Sequence, residues 1–192
     1  MCRCCCTNSL TGCTTTSDHL YLFPAQADAN LLDMTINVAR EMGIRFQPTR
    51  GSMSLGQSRG GLPPDNIIQK ESEIVADIRR LIKLYHDDSS GAMTRIALAP
   101  CSPFSVTIEL MQMVVKLADE FNLQIHTHLA ETLDEEKFCI ENYGLRPFVL
   151  LKNLGWIRPN AWFAHSIYLN ESEIAEMGAV GCGVSHCPTS NM

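Results

Sequence analysis

His126, His128 and Glu131 are the residues whose types and spacing most directly suggest chemistry. They follow the apolar run Leu123-Gln124-Ile125, which reads as a buried strand ending in His126-Thr127-His128-Leu129-Ala130-Glu131. Side chains repeat direction every two residues along a strand, so both imidazoles face one side. A carboxylate three residues past the second histidine falls where strand gives way to loop, within reach of a group held at that histidine. A metal-activated water served by a carboxylate proton shuttle needs such a pairing. The bare spacing also fits hydrogen-bonded polar residues at a strand end; only the surroundings separate the two.

Those surroundings repeat one pattern. Residues 44–49 read as a strand, and Lys70 to Tyr85 as a helix whose Ile74, Ile78, Leu81, Ile82 and Tyr85 fall at three- and four-residue spacing. Arg95 to Ala99 is the next strand, and Ser105 to Phe121 a helix with Leu110, Met111, Val114, Val115, Ala118 and Phe121 as its apolar stripe. After the Leu123–His128 strand come helical pieces around Asp134–Tyr143 and Pro147–Leu154, then a strand over Ala161–His165. Asn170 and Glu173 make a capping box for a short helix closed by Gly178, and Cys182–His186 is the last strand. Upstream, a short strand near Gly12–Thr16 precedes an amphipathic helix from Leu31 to Met42 ended by Gly43.

Alternation of strand and helix through short connections implies a parallel sheet with helical crossovers. Polar residues collect at the strand ends: Thr16-Ser17-Asp18-His19, Gln47-Pro48-Thr49-Arg50, Cys101-Ser102, His126/His128/Glu131, His165-Ser166 and His186-Cys187. A (β/α)8 barrel gathers its site from many strand ends, whereas an open doubly wound sheet uses mainly its switch point. The expected fold is therefore an α/β TIM barrel.

Several motifs carry a family resemblance. The run Gly12-Cys13-Thr14-Thr15-Thr16-Ser17-Asp18-His19-Leu20-Tyr21-Leu22-Phe23-Pro24, then Arg50-Gly51-Ser52-Met53-Ser54 and Gly60-Gly61-Leu62-Pro63-Pro64-Asp65, lead in order to His126-Thr127-His128-Leu129-Ala130-Glu131-Thr132, Phe163-Ala164-His165 and Ser185-His186-Cys187-Pro188-Thr189-Ser190-Asn191. The chain from Gly12 to Met192 resembles the interior of an amidohydrolase-superfamily barrel, in the branch of cytosine deaminase, guanine deaminase and the s-triazine hydrolases. It is most similar there to the 8-oxoguanine deaminase and hydroxyatrazine ethylaminohydrolase-like members. The last three motifs match the family's fifth, sixth and seventh strands.

The resemblance implies an incomplete (β/α)8 barrel of the metal-dependent hydrolase type, about strands 2 to 7. The family's first-strand His-x-His pair, its eighth-strand metal-binding Asp and its small β-sandwich are not found here. It thus implies an internal fragment with little activity by itself. By the same resemblance His128 binds one divalent metal, zinc ahead of iron. Glu131 moves a proton from the metal-bound water to a substrate ring nitrogen, and His165 orients the water and stabilises the charge of the intermediate. The implied reaction removes ammonia or an amine from a heterocycle, foremost an 8-oxoguanine-type purine. The alternatives are s-triazine amino- or chlorohydrolysis and a non-catalytic fragment. For the full-length protein the resemblance further implies a homo-oligomer.

Beside these, Arg50 and Gln57 are candidate contacts to a purine carbonyl. They lie in residues 50–66, which read as a glycine- and proline-rich loop covering the barrel mouth or simply disordered. Cys101 and Ser102, at the fourth strand's end, are candidates for lining the pocket; Cys101 reads equally as a small core residue. His126 could orient the neighbouring ligand or be structural.

Composition bounds the rest. With 192 residues and 45% hydrophobic content the chain permits one domain. A formal charge of −6 with dispersed Lys and Arg argues against a nucleic-acid surface, so a free small heterocycle is the expected partner. No apolar run has the length of a membrane span, and no leader pattern opens the chain, so a cytoplasmic enzyme is expected. Nine cysteines are present, and Cys2, Cys4, Cys5 and Cys6 crowd the start. Adjacent cysteines make a poor tetrahedral ligand set. Residues 1–11 are expected to be an atypical, unstructured start, with 12–192 as the partial barrel domain.

Overall fold

Apolar residues at helical spacing and short β-branched or apolar runs pack the main helices of the described residues against one side of parallel strands. The computed structural model describes residues 12–24 and 30–191. The expected cysteine-rich start at 1–11 therefore lies outside the described residues.

The elements run β1 (Thr15–Ser17), α1 (Leu31–Met42), β2 (Arg45–Gln47), β3 (Thr49–Ser52), α2 (Glu71–Tyr85), β4 (Ala97–Pro100), α3 (Ile108–Phe121), β5 (Gln124–Leu129), α4 (Leu133–Tyr143), α5 (Pro147–Asn153), β6 (Ala161–His165), α6 (Glu171–Val180), β7 (Gly183–Ser185) and α7 (Pro188–Asn191). Every strand pairing is parallel: β1 with β2 in one sheet, and β3-β4-β5-β6-β7 in sequence order in the other. Among the described residues the strand order does not close on itself, which gives an α/β partial barrel rather than a complete one.

The expected strand over 44–49 is instead two segments on either side of Pro48. Proline has no N–H to donate to a ladder, but the Pro48 carbonyl still accepts from Ala97 N at 3.0 Å. The chain thus passes from pairing with β1 to pairing with β4.

Residues 50–56, expected to begin a loop, are buried, and the first three finish β3. Gly51 marks a close approach rather than flexibility: a Cβ there would lie 2.3 Å from the Leu20 carbonyl oxygen. The remainder folds into short 3-10 turns at Gln57–Arg59 and Asp65–Ile67, tied by Asp65 accepting from the Ser58 hydroxyl at 2.9 Å. α6 also outruns expectation. Gly178 stays helical and Gly181, at φ 84°, supplies the left-handed cap, while the Asn170/Glu173 capping box forms as read.

The core lies between helices and sheet. Leu32 and Ile36 of α1, Ile74, Ile78 and Leu81 of α2, and Leu110, Val114 and Leu117 of α3 pack with Ile96, Leu98, Ile125, Leu129 and Phe163. Each such side chain contributes roughly 1.5–3 kcal/mol on burial. The opposite face of β5 and β6 carries His126, His128 and Trp162, so the sheet's polar face is the one the helices leave uncovered.

Candidate active site

Four imidazoles meet at the ends of the strands. His128 stacks on His165 with ring centroids 5.2 Å apart and on His19 at 4.6 Å; His19 lies 4.4 Å from His126, which stacks on Trp162 at 4.6 Å.

Strand alternation places His126 and His128 together. It does not place Glu131 or His165 there, since each is an odd number of residues from its inward-facing strand neighbours. Left-handed backbone makes up the difference: Ala130 at φ 51° precedes Glu131, while His165 and Ser166 stand at φ 70° and 56°. Such conformations cost non-glycine residues about 1–3 kcal/mol each and persist only where surrounding bonds hold them. Here Glu135, fully buried, accepts from Ala130 N at 2.9 Å and Glu131 N at 2.8 Å. Ser166 N in turn donates to Leu129 O at 2.9 Å. The result is a Glu131 Oε1 to His165 Nε2 contact of 3.2 Å.

His128 is aimed by backbone. Its Nδ1–H donates to the Cys101 carbonyl at 2.6 Å, which leaves Nε2 as the nitrogen with a free lone pair. His126 is held likewise, Nδ1–H to the Trp162 carbonyl at 2.9 Å. Burial, with smaller contributions from neighbouring imidazoles, pushes His19 down to about 2 and His126 to about 4, and burial lowers His128 as well. These three rings are neutral at physiological pH: donors of lone pairs, not of charge.

The other expected residues divide. Cys101 is buried with Sγ 3.8 Å from His128 Nδ1, and burial pushes its thiol up to about 11, so it is no thiolate at neutral pH. Ser102 is buried and bonded to the Ser105 hydroxyl at 2.7 Å, facing a neighbouring turn. Arg50 is not at the strand-end cluster. The residue is 2% exposed, and its guanidinium lies over the Phe23 ring at 3.9 Å and is paired with Asp77 at 2.6 Å. A buried guanidinium needs such a counterion, and α2 supplies it. Gln57 is exposed on its 3-10 turn.

His19 falls at a strand end in the sequence, and its spacing there points to no role. Asp18 accepts from Thr49 N at 2.9 Å and so fixes the turn, and His19 Nε2–H donates to the Ala99 carbonyl at 3.1 Å. Its Nδ1 is buried with no hydrogen-bond partner among the described residues. The available signal was the polar cluster after β1; only the tertiary pairing of β1 with β2 shows that it reaches His128.

For a divalent metal the chemistry of the donors is apt, but their number is short. Among the described residues no group of three or more His, Cys, Asp or Glu side chains could hold one. These residues alone do not make a metal site. Nor is any helix among them long and apolar enough to cross a membrane.

Known proteins that resemble the chain identify its family. A model of the Amidohydrolase family matches residues 3–192. The chain is 50% identical over 183 residues to 8-oxoguanine deaminase of Pseudomonas aeruginosa, covering 95% of this chain and 40% of that protein. It is 33% identical to hydroxydechloroatrazine ethylaminohydrolase of Pseudomonas sp. strain ADP, covering 92% and 36%. Among solved structures it superposes on a mutant atrazine chlorohydrolase from Arthrobacter aurescens TC1, complexed with zinc and atraton, with TM-score 0.91 and 32% identity. That match covers 96% of this chain and 40% of the other. The chain thus spans about two fifths of the length of the relatives it matches.

Proposed function

The chain belongs to the amidohydrolase family, and from that premise we propose that it carries the proton-handling part of a hydrolase acting on a heterocyclic C–N bond. The observation that supports this most is the 3.2 Å contact between Glu131 and His165, beside an imidazole aimed by the Cys101 carbonyl. In this reading Glu131 takes the proton of the attacking water and delivers it to a ring nitrogen of the substrate. His165 accepts a hydrogen bond from the attacking water at Nε2 and, once that nitrogen carries the proton it shares with Glu131, donates to the oxygen on which charge grows; ammonia or an amine then leaves.

The cofactor of the whole protein would be one divalent metal, zinc ahead of iron, which His128 would help to hold through Nε2; the described residues do not supply a full ligand set. Such an ion lowers the pKa of a bound water to near ~7. Cys101, beside His128, lines the pocket. The substrate is a free oxidised purine of the 8-oxoguanine kind, the reaction named for the relative that shares half its aligned residues with this chain. An s-triazine amino- or chlorohydrolase is the second reading, favoured by the superposition on atrazine chlorohydrolase. Assembly into a homo-oligomer and a cytoplasmic location complete the proposal.

The test is ammonia release from 8-oxoguanine, and amine or chloride release from s-triazines, with metal content measured on the same sample. Zinc-dependent turnover of the purine that disappears in Glu131→Gln supports the reading. A folded chain that turns over neither ring class overturns it for this chain.

A further inference from the structure

The two nitrogens of His165 face two different side chains. Nε2 meets Glu131 Oε1 at 3.2 Å, and Nδ1 meets Asn191 Oδ1 at 2.9 Å. Asn191 closes the single-turn α7, where Ser190 N donates to Cys187 O at 3.1 Å, so it reaches back from beyond β7 to a residue 26 positions earlier. Nothing so far gives it a function.

The chemistry of the contact is restrictive. An amide oxygen only accepts, so Nδ1 must carry a hydrogen. Once it does, the Nε2–Glu131 contact can hold no more than one proton, on the ring or on the carboxyl. We infer that Asn191 is a positioning residue, which keeps the hydrogen on Nδ1 of His165 so that Nε2 is the nitrogen offered to Glu131 and to a molecule bound at the strand ends. Without Asn191, the imidazole is free to place its hydrogen on Nε2 and donate it permanently to the Glu131 carboxylate. That arrangement would tie up both groups. His165 is 6% exposed, so water is a poor substitute for the lost partner. The functional consequence rests on the roles proposed above for Glu131 and His165; the hydrogen's location does not.

The test is a two-bond 1H–15N correlation spectrum of the 15N-labelled chain at one fixed pH, with the His165 ring assigned by its loss in His165→Asn. The expected result is a hydrogen on Nδ1 in the wild-type chain, kept in Asn191→Asp, and moved to Nε2 in Asn191→Leu while the other histidine signals stay in place. Asn191 is exposed, so neither substitution disturbs the core. A wild-type ring with bare Nδ1, as the opposite amide orientation would give, overturns the inference. So does an Asn191→Leu ring identical to wild type. If turnover is found, Asn191→Leu lowers kcat by ~10–100-fold with KM little changed, the scale seen when a metal-ligating histidine loses its outer partner. A moved hydrogen in a chain without turnover sinks the functional reading and leaves the role of Asn191 intact; turnover with an unmoved hydrogen does the reverse.

Discussion

Glu131 owes its direction to Glu135: the Glu131 N–H donates to Glu135 Oε2 at 2.8 Å, and the other carboxylate oxygen takes the N–H of Ala130. A turn with a left-handed alanine is thereby clamped by one buried side chain four residues on. Burial pushes the Glu135 carboxyl upward, against the pull of those two N–H donors. Replacing it with alanine strands one buried and one part-buried donor, at about 1–3 kcal/mol for the buried one and less for the other. Glu135→Ala should therefore lower the unfolding midpoint in urea and also abolish any Glu131-dependent turnover. Glu135→Gln, which keeps one acceptor, should fall between. Full activity in a destabilised Glu135→Ala chain would show that the clamp does not orient Glu131.

Arg50 yields a prediction that separates two roles. Its pairing with Asp77 and its place over Phe23 make it part of the core. Arg50→Met keeps the volume but removes a buried charge partner, and Asp77 retains Arg80 at 2.8 Å. A loss of about 2–3 kcal/mol is expected, below the full cost of orphaning a buried charge. Thermal denaturation reads it directly. An unchanged midpoint with a raised KM would instead identify Arg50 as a substrate contact.

Acid stability turns partly on Asp33. The Arg80 guanidinium grips both its oxygens, at 2.8 and 2.7 Å, and the Tyr85 hydroxyl donates at 2.6 Å, which holds its carboxyl below the usual range. A carboxylate with a folded value below its unfolded one adds stability above the unfolded value, and that stability is lost as pH falls through the folded value. Asp33→Asn should cost about 1–2 kcal/mol at pH 7, reduced by Arg80's partial exposure. The gap between variant and wild type should narrow below about pH 4. A pH-independent gap would mean that the pair is not what ties α1 to α2.

Much of this architecture could be read from residue order. The alternation of apolar helices and strands, the shared face of His126 and His128, and the Asn170 capping box are local patterns, and they recur in the structure as read. What could not be read depends on backbone sign and distant pairing. Nothing in Ala130 or His165 announces a positive φ, yet that sign carries Glu131 and His165 across to the histidine face. His19 needs β1 beside β2 before it meets His128. Arg50 looked like a strand-end cation because its counterion lies 27 residues away in α2. The glycines after it were read as flexibility, whereas Gly51 reports another backbone pressed close.

Pro48 divides more than a strand. On one side of it, β1 and the turn bearing His19 hang from β2; on the other, Glu131, His128 and His165 belong to the five-stranded sheet. Between the two run individual backbone ties rather than a continuous ladder, such as Gly51 N to Leu20 O at 2.9 Å and Phe46 N to Met93 O at 2.9 Å. Sub-global opening follows such seams. Amides of β1 and β2 should thus exchange with solvent faster than those of β5 and β6, in a separate step. Opening at that seam would withdraw one wall of the histidine cluster while the acid–base pair stayed assembled, so the site can be loosened from one side without being dismantled.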